Sequence, residues 1–135
     1  METFTTVDFF TLKSKTFKAK AVKIHDGDTI HAVFKFNGEY TKFKIRLAEI
    51  DCPKVRTKNK VEKEAGLKAK DFLISLLRDD WFTLKCGDFC KYGRLLGYIY
   101  VGDVCVNEMM VKNGHAYEYH GDKKIEFENW YKLKE

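Results

Sequence analysis

From residue 16 onward, apolar and polar side chains alternate with a period of two, over 16–25, then 29–36, then 39–47. That period puts successive side chains on opposite faces of an extended chain and predicts three consecutive strands. In the first, Phe17, Ala19 and Ala21 keep one phase, while Val22 and Ile24 fall one position out of it. The slip predicts a β-bulge. Asn37-Gly38, between the second and third runs, is the strongest short hairpin signal a sequence can carry. In the third run, Phe43, Ile45 and Leu47 share one face and Lys42, Lys44 and Arg46 the other, so Arg46 points away from the apolar side.

The period then lengthens. Val61, Ala65, Ala69, Phe72, Leu73, Leu76 and Leu77 recur at three- and four-residue spacing, which predicts a helix over 61–77 with that stripe in the core. Residues 82–86 and 93–101 read as a fourth and a fifth strand, with a turn at Gly102-Asp103. Asn107 is expected to cap a short helix that runs to Lys112 and stops at Asn113-Gly114. A last helix, from about 123 to 131, would turn Ile125, Phe127 and Trp130 inward. The fold class is therefore α+β. Five strands, the first three sequential and antiparallel, with a helix between the third and fourth, describe a Greek-key β-barrel of the OB type with about three helices. Its strand 2–3 face commonly binds oligonucleotides, a fold-level analogy that needs a site to support it.

At 135 residues the chain is expected to be one domain, 1–135, with room for one core. No repeat or linker divides it, and its single proline is Pro53. The hydrophobic fraction of 44% excludes a disordered tail. A net charge of +5 favours anionic partners. The aromatic fraction of 15% suits a packed barrel better than a set of stacking platforms. Met1 to Asp8 carries early acids and no signal-peptide core, and no segment has the length of a membrane span, so an intracellular protein without a membrane partner is expected. Cys52, Cys86, Cys90 and Cys105 fit no paired zinc spacing and read as free thiols, with Cys86 and Cys90 near enough in sequence to leave oxidation open. His25, His31, His115 and His120 show no ligand spacing.

Candidate chemistry gathers at the strand ends. Asp26-Gly27-Asp28-Thr29 closes the first strand, and Arg46-Leu47-Ala48-Glu49-Ile50-Asp51-Cys52-Pro53 closes the third. Lys91-Tyr92-Gly93-Arg94 supplies a further arginine. Two carboxylates able to share a hard cation, with two guanidiniums, suit a phosphodiester: the metal polarises a phosphoryl oxygen and the arginines take up developing charge. Each residue has a plainer reading, Asp26-Gly27 as a turn and Arg46 or Arg94 as surface charges. Lys54 to Lys60 holds four bases and no acid. It reads as a mobile loop, either a solvated connector or one that meets a phosphate backbone.

These motifs, with Leu95 to Tyr100 and Val106 to Gly114, resemble the staphylococcal nuclease-like (thermonuclease) family over about residues 17–120. The resemblance implies an OB-fold barrel and calcium-dependent hydrolysis of DNA and RNA phosphodiesters. By motif, Asp28, Asp51 and the Cys52 backbone carbonyl would hold Ca2+, Arg46 and Arg94 would clamp the phosphate, and Lys91 and Tyr92 would touch the neighbouring nucleotide. The family pattern places a glutamate, its general base, three residues after the aspartate; this chain has Lys54. An ammonium cannot accept a proton. Glu49, which shares strand parity with Asp51, and Glu62 and Glu64 at the start of the helix are the acids near enough to substitute. Two readings follow: an endonuclease impaired by Lys54, or a nucleic-acid-binding module. In both the partner is DNA or RNA, single-stranded, and the protein is expected to be a monomer.

Overall fold

The computed structural model describes residues 4–120 and 126–134. In chain order its elements are the strands β1 (Thr16–Asp26), β2 (Thr29–Phe36), β3 (Glu39–Leu47) and β4 (Ile50–Asp51), helix α1 (Lys60–Leu77), β5 (Trp81–Phe89), a 3-10 turn (Lys91–Gly93), β6 (Leu95–Val101), β7 (Val104–Cys105), α2 (Val106–Lys112), β8 (Tyr117–Glu118) and α3 (Phe127–Lys134). Strands run in the order β3-β2-β1-β5-β6, each antiparallel to the next, and a parallel β3–β6 pairing closes the ring. The result is the five-stranded OB-type barrel with three helices that the sequence predicts.

The expected local features are present. Asn37 (φ 50°) and Gly38 (φ 83°) make the left-handed two-residue turn of the β2–β3 hairpin. The β1–β2 register shifts between Ala21 and Lys23, leaving Val22 exposed on a bulge. Inside the barrel, Phe34 stacks between Phe17 and Phe43 at centroid distances of 4.2 and 4.4 Å. All four cysteines are free thiols, and burial pushes the Cys86 thiol up to about 11. None of the described helices is long and apolar enough to cross a membrane.

Several expectations are corrected. Asn107 does not cap α2. It lies inside the helix, buried, and its side chain accepts from the Ile99 amide and donates to the Ala48 and Gly97 carbonyls. The fifth strand starts at Leu95 instead of residue 93, because Tyr92 and Gly93 take left-handed backbone (φ 64° and 69°) that cannot enter a ladder. Val61 is exposed: the first turn of α1 extends beyond the barrel, and the buried stripe is Gly66, Ala69, Leu73 and Leu77. The last helix begins at Phe127 and buries Trp130; Ile125 lies outside the described residues.

Gly66 marks a close approach that periodicity cannot reveal. A Cβ there would meet the Lys54 carbonyl oxygen at 2.7 Å, so the chain after Pro53 lies directly on α1. Gly66→Ala is expected to lower stability by about 1–2 kcal/mol, the overpacking penalty outweighing the helix propensity gained. Urea denaturation measures it, and an unchanged midpoint would show that the segment yields freely.

Candidate active site

Asp28 reaches the site from a turn. Asp26 pairs with Thr29, so Gly27 and Asp28 form the β1–β2 connection, with the Asp28 amide donating to Asp26 Oδ1 at 3.2 Å. Asp28 is thus a turn residue as well as a site residue. A Cβ on Gly27 would meet Cys52 Sγ and Ala69 Cβ, both at 2.9 Å, so only glycine lets this turn sit under the β4 segment. The Leu47 amide donates to the Asp28 carbonyl at 2.8 Å, tying the turn to the end of β3.

Arg46 does lie opposite Ile45 and Leu47, as alternation requires, but its face is covered. Asp28, Arg46 and Asp51 are all buried. Arg46 Nη1 stands 3.1 Å from Asp28 Oδ2, and Nη2 stands 3.0 Å from Asp51 Oδ1. Thr29 Oγ1 and the Cys52 amide donate to the two Asp28 oxygens at 3.0 and 2.9 Å. Tyr117 Oη donates to Asp51 Oδ2. Burial, then the neighbouring Asp26 carboxyl, push the Asp28 carboxyl up from its ordinary value against the pull of Arg46. Burial and then the Asp51 carboxylate push the Tyr117 phenol up. Burial and Asp28 raise the Cys52 thiol, which leaves it an inert neighbour of the carboxylates.

Arg46 also lines a cleft of about 660 Å³ with Lys91, Tyr92, Arg94, Tyr98 and Tyr119. The left-handed turn at Tyr92 holds that ring 88% exposed at the lip. Arg94 donates from Nε to the Lys91 carbonyl at 3.3 Å, and its guanidinium lies 6.0 Å from the Tyr92 ring centroid. All four residues expected to meet a phosphate or nucleotide therefore share one cleft, with the carboxylates buried behind Arg46.

Lys54 does not line that cleft. Its side chain is exposed, and its amide donates to Glu62 Oε2 at 3.2 Å. Glu62 also accepts from Thr57 Oγ1 at 3.2 Å, and Asn59 caps α1 through the Val61 and Glu62 amides, so the basic stretch is tied down along its length. Among the substitute acids, Glu62 is spent on this loop and Glu64 faces Lys68 at 3.6 Å. Glu49 lines the arginine cleft, but its expected parity with Asp51 fails. The strand is interrupted after β3, Glu49 takes φ 65°, and its side chain is exposed where Asp51 is buried. Sequence reasoning missed Tyr117. Its signal was the aromatic alternation Tyr117-Glu118-Tyr119 after the Gly114 stop, which forms β8 against β4. His120, which shows no ligand spacing in the sequence, lines the same cleft, 3.9 Å from Glu49 and 3.7 Å from Glu118.

The sequence matches the staphylococcal nuclease homologue family over residues 44–134. It is similar to a probable staphylococcal-like nuclease of Oryza sativa subsp. japonica, 30% identical over 90 residues that cover 66% of this chain and 22% of that one. An endonuclease of Saprolegnia parasitica is 28% identical, covering 76% of this chain and 56% of that one. An uncharacterized endonuclease of Escherichia coli is 31% identical over 101 residues, 74% of this chain and 60% of that one. The chain thus spans between a fifth and three fifths of these relatives.

Proposed function

Since the chain belongs to the staphylococcal nuclease homologue family, we propose that this cleft hydrolyses phosphodiester bonds of DNA or RNA, slowly, with a calcium ion. One observation carries the reading: Arg46 is held between two buried carboxylates at the wall of a cleft whose lip presents Arg94, Lys91 and Tyr92. A surface that only bound nucleic acid would have no use for buried aspartates beside a phosphate, since they repel it.

The donor set fits a hard divalent cation. Asp28 and Asp51 offer carboxylate oxygens on either side of one guanidinium, so two acids face a single base. Asp28 and Asp51, with the Cys52 carbonyl, would hold it. No group of three ligand side chains is found among the described residues, so water and phosphate oxygens must complete the shell. Bound there, calcium supplies charge neutralisation and a polarised phosphoryl oxygen. Arg46 and Arg94 fix the phosphate in the cleft and take up charge as the pentavalent state forms. Lys91 and Tyr92 position the adjoining nucleotide. Lys54 offers no lone pair to the attacking water, which makes turnover slow and leaves nucleic-acid binding without cleavage as the second reading.

Incubating the protein with single-stranded DNA and RNA, with calcium or with a chelator, tests the proposal. Cleavage only with calcium supports it; binding without cleavage in either condition establishes the module reading. Calorimetric titration should show one weak calcium site, with a Kd on the order of 10⁻⁴–10⁻³ M, that Asp28→Ala abolishes. Unchanged binding in that variant removes the ligand assignment.

A further inference from the structure

On the outer face of β3, Arg46 is followed at two-residue steps by Lys44, Lys42 and Tyr40. Each stands beside an outward residue of β2: Arg46 pairs with Thr29, Lys44 with His31, Lys42 with Val33 and Tyr40 with Lys35. The rows continue into β1 and β5. His31 pairs with Lys23, Val33 with Lys20, and Lys20 with Trp81. Residues 16–25, 29–36, 40–44 and 81–85 contain no acid; Asp26, Glu39 and Asp80 stand at strand ends, and Asp88 lies further along β5. Among the described residues, Lys18, Lys20, Lys23, Lys35, Lys42 and Lys44 make no ion pair. Lys44 and Lys23 flank His31, and Lys42 and Lys20 flank Val33, so the face gathers like charge at one-strand intervals with no counter-charge between. Burial and then Lys23, Lys44, His25 and Lys42 push the His31 imidazole below its ordinary value. A soluble barrel gains nothing for its own stability from such a face.

The far end of this track carries two large exposed aromatics. Tyr40 is 67% and Trp81 44% exposed, with ring centroids 6.3 Å apart, and Lys35 Nζ lies 5.8 Å from the Tyr40 ring. Cations interleaved with open aromatic faces are the chemistry of a single nucleic-acid strand: ammonium groups follow its phosphates and rings stack on its bases. Six residues of extended chain separate the Arg46 and Tyr40 rungs, about 20 Å, or about six nucleotides of a stacked strand.

We propose that the outer face of β1–β3, ending at Tyr40 and Trp81, is a second binding site that holds single-stranded nucleic acid some 20 Å from the cleft, roughly six nucleotides from the phosphate at Arg46. It deepens the nuclease reading, resting on nucleic acid as the substrate class, and makes the protein select for strand length.

The test uses the whole chain and labelled oligothymidylates of about 3 and about 15 nucleotides, with chelator for binding and calcium for turnover. Trp130 is buried, so Trp81 supplies the quenchable emission. The longer oligonucleotide should quench it and bind at least about tenfold more tightly than the shorter. Tyr40→Ala with Trp81→Ala should remove that advantage. Lys20→Gln, Lys42→Gln and Lys44→Gln together should flatten the slope of log K against log salt by about two, near 0.7 per phosphate contact. Neither set should alter turnover of the short substrate. Unchanged affinity for the longer strand in both sets overturns the site, as does Trp81-dependent binding to phosphatidylserine vesicles without binding to oligothymidylate. The two proposals fail separately. Quenching without hydrolysis keeps this site and ends the catalytic reading, whereas hydrolysis indifferent to length and to both variant sets does the reverse.

Discussion

Arg46→Met is expected to lower stability by about 3–5 kcal/mol near neutral pH, because it leaves two carboxylates buried with no cation between them. Methionine keeps the length of the side chain, so the loss measures charge more than packing. The direction with pH follows. Burial and Asp26 already hold the Asp28 carboxyl above 3.8, and losing the guanidinium raises it further. A carboxyl whose pKa is higher folded than unfolded binds its proton more readily in the folded state, so the variant gains stability as pH falls toward that pKa. Calcium should restore part of the loss, since it replaces the missing positive charge, and should bind the variant more tightly than the parent. Turnover should nonetheless drop by about two to three orders of magnitude, as expected when a group that stabilises transition-state charge is removed. Urea denaturation at about pH 5 and about pH 7.5, with and without calcium, reads the first two effects. A loss near 0.5 kcal/mol, within the range of a surface substitution, would mean that the pair is not the keystone of the site.

Lys54→Glu is expected to raise calcium-dependent hydrolysis at least about tenfold, at or below the lower end of the general-base range. The modest size has a structural cause. The Lys54 amide is bound to Glu62 and its carbonyl lies against Gly66, so the backbone cannot swing a new carboxylate freely toward the cleft. Lys54→Gln separates two causes: it removes the charge three residues after Asp51 but supplies no base. A gain in both variants indicates charge relief, and a gain in the glutamate variant alone indicates a restored base. If neither gains over a parent that already turns over, the proton goes elsewhere. Glu49, the acid that shares the arginine cleft, is then the residue to replace.

The barrel was legible because its signals are local. Alternation in β2 and β3, the Asn37-Gly38 turn and the phase slip at Val22 each rest on residues a few positions apart, and each has its counterpart in the fold. The motif residues Asp28, Arg46, Asp51 and Arg94 were equally visible. What stayed hidden depends on partners far along the chain. Asn107 looks like a cap by residue type, yet it serves carbonyls on β6 and beyond the end of β3. Tyr117 finds Asp51 only once β8 pairs with β4. Gly66 and Tyr92 carry meaning through a contact and a backbone angle, neither of which a periodicity records.

Asn107 has a kinetic side as well. Its amide group bridges the Gly97 and Ala48 carbonyls where β6 meets the end of β3, the one parallel seam of the barrel, and it also holds the Ile99 amide. Seam and helix α2 are thus one cooperative unit: α2 cannot leave without stripping three backbone groups of a buried partner. Such a clasp joins segments distant in sequence, so it closes late in folding, after the hairpins. The same clasp holds Ala48, two residues past Arg46 and just beyond the end of β3, so the wall of the arginine cleft sets only when the barrel is shut.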